Sequence, residues 1–386
     1  MTQLRIPAVY MRGGTSKGVF FRADALPANP VERDRLLLRV IGSPDPYGKQ
    51  IDGMGGATSS TSKVVLVSKS NRANCDVDYL FGAVSIESPI IDWSGNCGNL
   101  TAAVGPFAIS EGLVDGIDNG IQQVHLWQAN IGKRIIAHVP MRNREVVEEG
   151  DFELDGVTFP SAEIRLEFLD LGGDAKDGRM FPTGKVIDPL VIPGLGKIEA
   201  TLINAGNPTV FVEAKSLGLT GDELQDAVNS NEQLLQLCEA VRAHAAVAMG
   251  LADTADEATA KRPATPKLAF VSAPRDYVAS NGKPVTRGDI DLNVRILSMG
   301  KLHHAMTGTG AIAIAAAAAI PGTLVERTVG KRSEEVRFGH PSGTLTVGAS
   351  AVNCDGEWIV VKAVMSRSAR RLMEGWVRVS TQAICH

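Results

Sequence analysis

The stretch GNCGNLTAAVGPFAI, residues 95–109, sets Cys97 between two Gly-Asn pairs at the head of a run of small apolar residues. Glycine and asparagine followed by such a run predict a helix over 98–111. A helix apolar on every side belongs inside a core, where small side chains let backbones approach closely. Residues 305–319, AMTGTGAIAIAAAAA, repeat the arrangement in the other half of the chain, with a second helix expected over 308–319. The likeness implies a duplication spanning about half the protein rather than a short repeat. At each helix start four backbone N–H groups lack partners and the macrodipole end is positive, so both are suited to hold an anion.

The remainder of the chain agrees with a large core. It has 386 residues, of which 44% are hydrophobic and 5% aromatic, enough for about two domains. Net charge is −4 without long blocks of either sign, which excludes nucleic acid and an anionic membrane as main partners. The N-terminal MTQLRIPAVYMRGG lacks the apolar centre of a signal peptide, and the longest apolar candidate, GAIAIAAAAAIPG, falls short of the ~20 residues of a membrane span. A cytoplasmic protein is expected. Five scattered cysteines, Cys75, Cys97, Cys238, Cys354 and Cys385, form no C-x-x-C pair, which argues against both a disulfide framework and a zinc site. His303 and His304 have no ligand-spaced neighbours, so no metal is expected.

Short β-branched runs at 62–68, 123–140, 200–214, 266–272 and 358–366 read as strands, the second as a hairpin turning near Gly132. Helical patterns occur at 31–40 and 221–250 besides the two small-residue helices. The expected division is a first domain of 1–150 plus 373–386 and a second of 151–372.

With GNCGN in place, NAGNPTVF (204–211), MTGTGA (306–311) and GHPSGTL (339–345) complete a motif set that resembles the diaminopimelate-epimerase-like fold. The resemblance implies an α+β protein of two similar domains, each a β-barrel-like sheet around a central helix, with the active site in the cleft between them. Over YMRGGTSKGVFF (10–21), IGSPDPYGKQIDGMGGATSSTSK (41–63), IDWSGNCGNLTAAVGPFAI (91–109), SMGKLHHAM (298–306) and MSRSARRLMEGWVRV (365–379) the chain is similar to the 2-methylaconitate cis-trans isomerases of the methylcitrate route of propionate breakdown. Likeness to that family implies a cofactor-independent isomerase of aconitate-like tricarboxylates. A link to an aconitase-like methylcitrate dehydratase is also implied, and a homo-oligomer is left open. A 4-oxalomesaconate tautomerase and a methylitaconate Δ-isomerase share the same chemistry. A non-catalytic accessory protein of the dehydratase is the reading from another class.

Racemases of the fold use one cysteine per half. Here the first is kept as Cys97 and the second position is Thr307, whose hydroxyl is a poor proton acceptor near neutral pH. The isomerase family places a lysine in the site, and the matching residue is Lys63. Alone, a lysine at a strand start is usually solvated and a cysteine is most often a small core residue. The helix start beside Cys97 favours its thiolate, and the family match adds Lys63 as base and Cys97 as acid or substrate contact. The substrate-binding residues implied are Gly14, Thr15, Ser16, Ser62, Asn96, Gly98, Asn99, Asn207, Thr307, Gly308, Thr309, Ser342 and Gly343. The loop RGGTSKG (12–18) departs from a nucleotide-binding P-loop, so its hydroxyls and backbone N–H groups are the donors expected for a carboxylate. The roles of His303, His304 and Arg367 stay open.

Overall fold

The computed structural model describes residues 3–171 and 179–380. Cys385 and the rest of 381–386 lie outside them. The chain forms two compact units: Met1–Glu153 with Phe159–Leu166 and Arg367–His386, and Leu154–Thr158 with Glu167–Ser366. The chain therefore returns to the first unit at Arg367, ahead of the expected 373.

In the first unit, strands Gln3–Gly13 and Ser16–Arg22 form a hairpin that closes with Gly13 opposite Ser16, through Gly14 at φ 50°. The Ser16 strand pairs in parallel with Lys63–Lys69, which pairs antiparallel with Val77–Val84. Asn119–Gln128 and Lys133–Arg142 make the expected hairpin, with Gly132 at φ 64° in its turn. Helix α1, Pro30–Ile41, starts where Asn29 Oδ1 accepts from the backbone N–H groups of Val31 and Glu32, with Pro30 at the first helical position. It stops at Gly42, whose φ of 84° lies in the left-handed region. Helix α2, Gly98–Ser110, is buried at every residue from Gly98 to Ile109. It packs on the Gln3, Ser16, Asn119 and Lys133 strands, so the sheet surrounds it.

The second unit repeats the plan. Strands Gly196–Ala205, Asn207–Glu213, Lys267–Ser272, Leu292–Ser298, Glu335–His340 and Gly343–Cys354 pair in succession, parallel between the Asn207 and Lys267 strands and between the Leu292 and Glu335 strands and antiparallel elsewhere. The run at 200–214, expected as one strand, is two strands around Gly206 at φ 78°. The helix expected over 221–250 is also divided, into α3, Gln225–Asn229, and α4, Glu232–Ala248. The break comes at Asn231, whose side chain accepts from Leu234 N and starts the second helix. Helix α5, Ala255–Lys261, packs on α4. The counterpart of α2 is α6, Gly308–Ala318, wholly buried among the Gly196, Asn207, Glu335 and Gly343 strands, and α7, Leu324–Val329, comes after it. Among the described residues no helix is long and apolar enough to cross a membrane.

Candidate active site

In the first unit the chemistry gathers at the start of α2. Lys63 opens its strand, is 6% exposed, and points its ammonium at Ser16 Oγ (2.9 Å) and Cys97 Sγ (3.2 Å). Gly18 makes this possible: a Cβ there would lie 2.8 Å from Lys63 O and 3.1 Å from Lys63 Cβ. Cys97 occupies the position before the first helical residue, but its side chain makes no capping bond. Burial is the largest influence on its thiol and raises the pKa. The Lys63 charge, the Leu100 backbone N–H and hydrogen bonds from Lys63 and Ser16 together outweigh it, and the result lies below the ordinary thiol value. The sulfur is thus held as a thiolate more readily than a free cysteine, inside the protein.

Two further side chains shape this helix start. Asn99 Nδ2 donates to Thr15 Oγ1 (3.0 Å), while its Oδ1 accepts from Arg367 Nε (2.9 Å). Arg367 is 1% exposed, and burial pushes its guanidinium down to about 10, against the pull of Cys97 in the other direction. It remains a cation at neutral pH and adds positive potential at the head of α2. Behind the loop, Tyr79 OH donates to Asn96 Oδ1 (3.1 Å) and lies 2.8 Å from Thr101 Oγ1, which also bonds Cys97 O at 3.0 Å. Burial raises the Tyr79 phenol, so it stays a neutral donor. Gly14, Thr15, Ser16, Lys63, Asn96, Cys97, Gly98 and Asn99 are therefore brought together in one unit. Ser62 lies beside them, yet its hydroxyl donates to Gln50 Oε1 (2.7 Å), so it presents an acceptor rather than the donor a carboxylate needs.

At the start of α6 the chemistry differs. Thr307 Oγ1 accepts from Gly310 N (3.2 Å), which is an ordinary helix cap. Thr309 is 1% exposed and its hydroxyl is buried without a hydrogen-bond partner among the described residues, a bonding capacity that a ligand oxygen would satisfy. Asn207 begins its strand, and the turn itself is made by Gly206, where a Cβ would sit 3.3 Å from Thr309 O. Ser342 Oγ donates to His304 O (2.6 Å), in the loop before α6, and Ser342 N to His340 Nδ1 (3.2 Å) within the turn, so both donors of this residue are used by the protein. His303 and His304 stack at 4.7 Å, and His303 Nδ1 accepts from Ala305 N (3.0 Å), which leaves the proton of a neutral ring on Nε2. Tyr277 OH reaches both His340 O (2.7 Å) and Gly343 O (2.6 Å), fixing the Gly343 turn from below. Single side chains chosen by motif miss Tyr79, Tyr277 and Gln50, because nothing local reveals what a buried hydroxyl or amide will meet across the sheet.

Comparison with known proteins places the whole chain in a family. A family model described as PrpF protein matches residues 3–380. A 2-methyl-aconitate isomerase from Cupriavidus necator is 63% identical over 391 residues, covering 99% of this chain and 98% of the relative. The crystal structure of a methylitaconate-delta-isomerase is 40% identical, covers 100% of this chain and 98% of its own, and superposes with a TM-score of 0.76. A hydroxyproline epimerase from Agrobacterium vitis, 12% identical with a TM-score of 0.57 and coverage of 98% and 93%, shares the fold.

Proposed function

Since the chain belongs to the PrpF protein family and is an isomerase, we propose that it interconverts 2-methyl-trans-aconitate and 2-methyl-cis-aconitate without a cofactor. The observation that carries this reading is the buried contact of Lys63 Nζ with Cys97 Sγ at the head of α2, in a chain 63% identical to a relative of that name.

The substrate has a methylene flanked by a carboxylate and a double bond. Lys63 as free amine takes one methylene proton and becomes an ammonium. The electron pair left behind delocalises through the double bond into a carboxylate, giving a dienolate. The former double bond now has single-bond character and rotates, and the same ammonium returns the proton to give the other geometry. A positioned base of this kind contributes about 10²–10⁴-fold. Cys97 fits the role of proton store. In the ion pair its thiolate accepts the resting proton of Lys63, which leaves thiol and free amine, and the reverse transfer restores the pair. The backbone donors of α2, the hydroxyls of Thr15 and Ser16 and the charge of Arg367 act on the carboxylates, where each well-aimed donor contributes up to about 10²–10³-fold. In the second unit Thr307, Gly308, Thr309, Asn207 and Gly343 remain proposed substrate contacts, Thr309 with the strongest support. An aconitase-like methylcitrate dehydratase in the same cytoplasm is the proposed source of the substrate.

Proton NMR of the purified protein with each 2-methylaconitate isomer in D₂O tests the assignment. The other isomer should appear, with deuterium at the methylene. Turnover of 3-methylitaconate or 4-oxalomesaconate in its place, with neither isomerisation nor exchange of 2-methylaconitate, would overturn the substrate. No turnover of any of them would favour an accessory protein.

A further inference from the structure

Residues 43–62 contain neither helix nor strand, yet they deliver Lys63 to its position. Their organiser is Gln50. It is 1% exposed, and its φ of 51° is left-handed, a conformation a non-glycine residue adopts at a cost. That turn sends Tyr47 and Ile51, 85% and 88% exposed, outward while the Gln50 amide points in. The amide nitrogen donates to Ser43 Oγ (2.9 Å), and its oxygen accepts from Ala57 N (2.8 Å) and Ser62 Oγ (2.7 Å). Gly55 makes room for it, since a Cβ at that position would stand 2.2 Å from Gln50 Oε1. Around this hub Met54 N and Gly55 N meet the last carbonyls of α1, Val40 O and Ile41 O, at 2.8 and 3.0 Å. Ser62 O accepts from Val84 N and Ser60 O from Lys17 N, each at 3.0 Å, so the segment joins both the strand beside Lys63 and the strand that carries Ser16.

We infer that Gln50 is a positioning residue for the reaction: its amide fixes residues 57–62, and through Ser62 the placement of Lys63 against Ser16 and Cys97. It does not touch substrate. The inference rests on the reading of Lys63 as base, but its first consequence can be measured without any substrate. Cys97 is faced by Lys63 on the next strand, Arg367 on the returning strand, Tyr79 on the Val77 strand and the neutral hydroxyl of Ser16. Of these, Lys63 follows Ser62 directly in the chain, and Ser16 is tied to the same segment by the bond from Lys17 N to Ser60 O.

The test combines Gln50→Ala, Ser62→Ala and the double variant. For each, the pH dependence of Cys97 alkylation by iodoacetamide is measured by peptide mass spectrometry, alongside kcat and KM with 2-methylaconitate. Gln50→Ala is expected to move the Cys97 alkylation midpoint upward, because the displaced ammonium no longer favours the thiolate. The expected loss in kcat is about 10–100-fold, with KM changed by less than about threefold, the size of effect that ångström-scale misplacement of a reacting group produces. Ser62→Ala removes one hydroxyl, so it keeps the test open if Gln50→Ala fails to fold. It should give a smaller loss in kcat, about threefold to tenfold, in the same direction. Loss in the double variant should not exceed that of Gln50→Ala, since both act along one path. An unmoved alkylation midpoint overturns the inference, as does a loss confined to KM or losses that multiply. A shifted midpoint in the variants, together with a wild-type protein that fails to isomerise 2-methylaconitate, would instead overturn the functional reading and leave the positioning of Lys63 by Gln50 standing.

Discussion

The two small-residue helices start in similar sequence and differ in what their first side chain does. Thr307 turns its hydroxyl inward to cap Gly310 N, so the start of α6 stabilises itself. Cys97 brings no hydroxyl to the start of α2; its sulfur, approached by the Leu100 N–H, also faces Lys63 and Ser16. One start exchanges a hydroxyl cap for a sulfur paired with Lys63, and the other keeps the hydroxyl cap beside a Thr309 hydroxyl with no partner among the described residues. Under the proposed function, the duplicated plan places chemistry in one copy and recognition in the other, and the residue before the helix is the difference between them.

The largest effect should come from removing the partner of Cys97. Lys63→Ala is expected to lower kcat by about 10²–10⁴-fold without altering the cooperative unfolding seen by circular dichroism. An alanine variant within tenfold of wild type would mean that the start of α2 has no more claim to the chemistry than that of α6. Next is Cys97→Thr, which gives the first start the side chain of the second. The hydroxyl should cap α2 and add up to about 1 kcal/mol of stability in denaturant titration, while kcat falls about 10²-fold. The variant's pH profile should also lose a limb that the wild type has. Because the folded Cys97 pKa is depressed, wild-type activity should persist below the ordinary thiol range and fall as acid protonates the sulfur, whereas the threonine variant has no such group to titrate. The smallest effect belongs to α6: Thr309→Val removes a buried hydroxyl that has no partner among the described residues, so stability should hold or rise slightly while KM increases roughly tenfold. An unchanged KM would show that the second start is structural only.

Much of this was legible in sequence because it depends on local chemistry. Asn29 and Pro30 announce α1, the Gly-Asn and Thr-Gly starts announce α2 and α6, and the hairpin at Gly132 is evident from its flanking strands. The break of 221–250 at Asn231 had a local sign, a polar Asn-Ser-Asn run, and so had the turn at Gly206, an Ala-Gly-Asn-Pro run. In both places a long apolar period masks a short polar interruption. The hubs Gln50, Tyr79 and Tyr277 were not legible, since their partners lie 7 to 66 residues away and no residue type announces which backbone carbonyl or hydroxyl it will meet. Ser62 and Ser342 show the converse. Each has the chemistry of a carboxylate donor, and each directs its proton into the protein.

The pairing of Gln3–Gly13 with Ala369–Ser380 has a further consequence for how the protein comes into being. On a ribosome the first unit is translated almost entirely before the second, yet its sheet lacks a strand, and Asn99 lacks the bond from Arg367, until the second has been made. The described strands of the second unit from Asp188 onward are made before the stretch Ala369–Ser380, while the earlier-made portion waits with an open edge. The order of synthesis and the order of completion are reversed, so the nascent chain cannot assemble the surroundings of Cys97 before its last strand arrives.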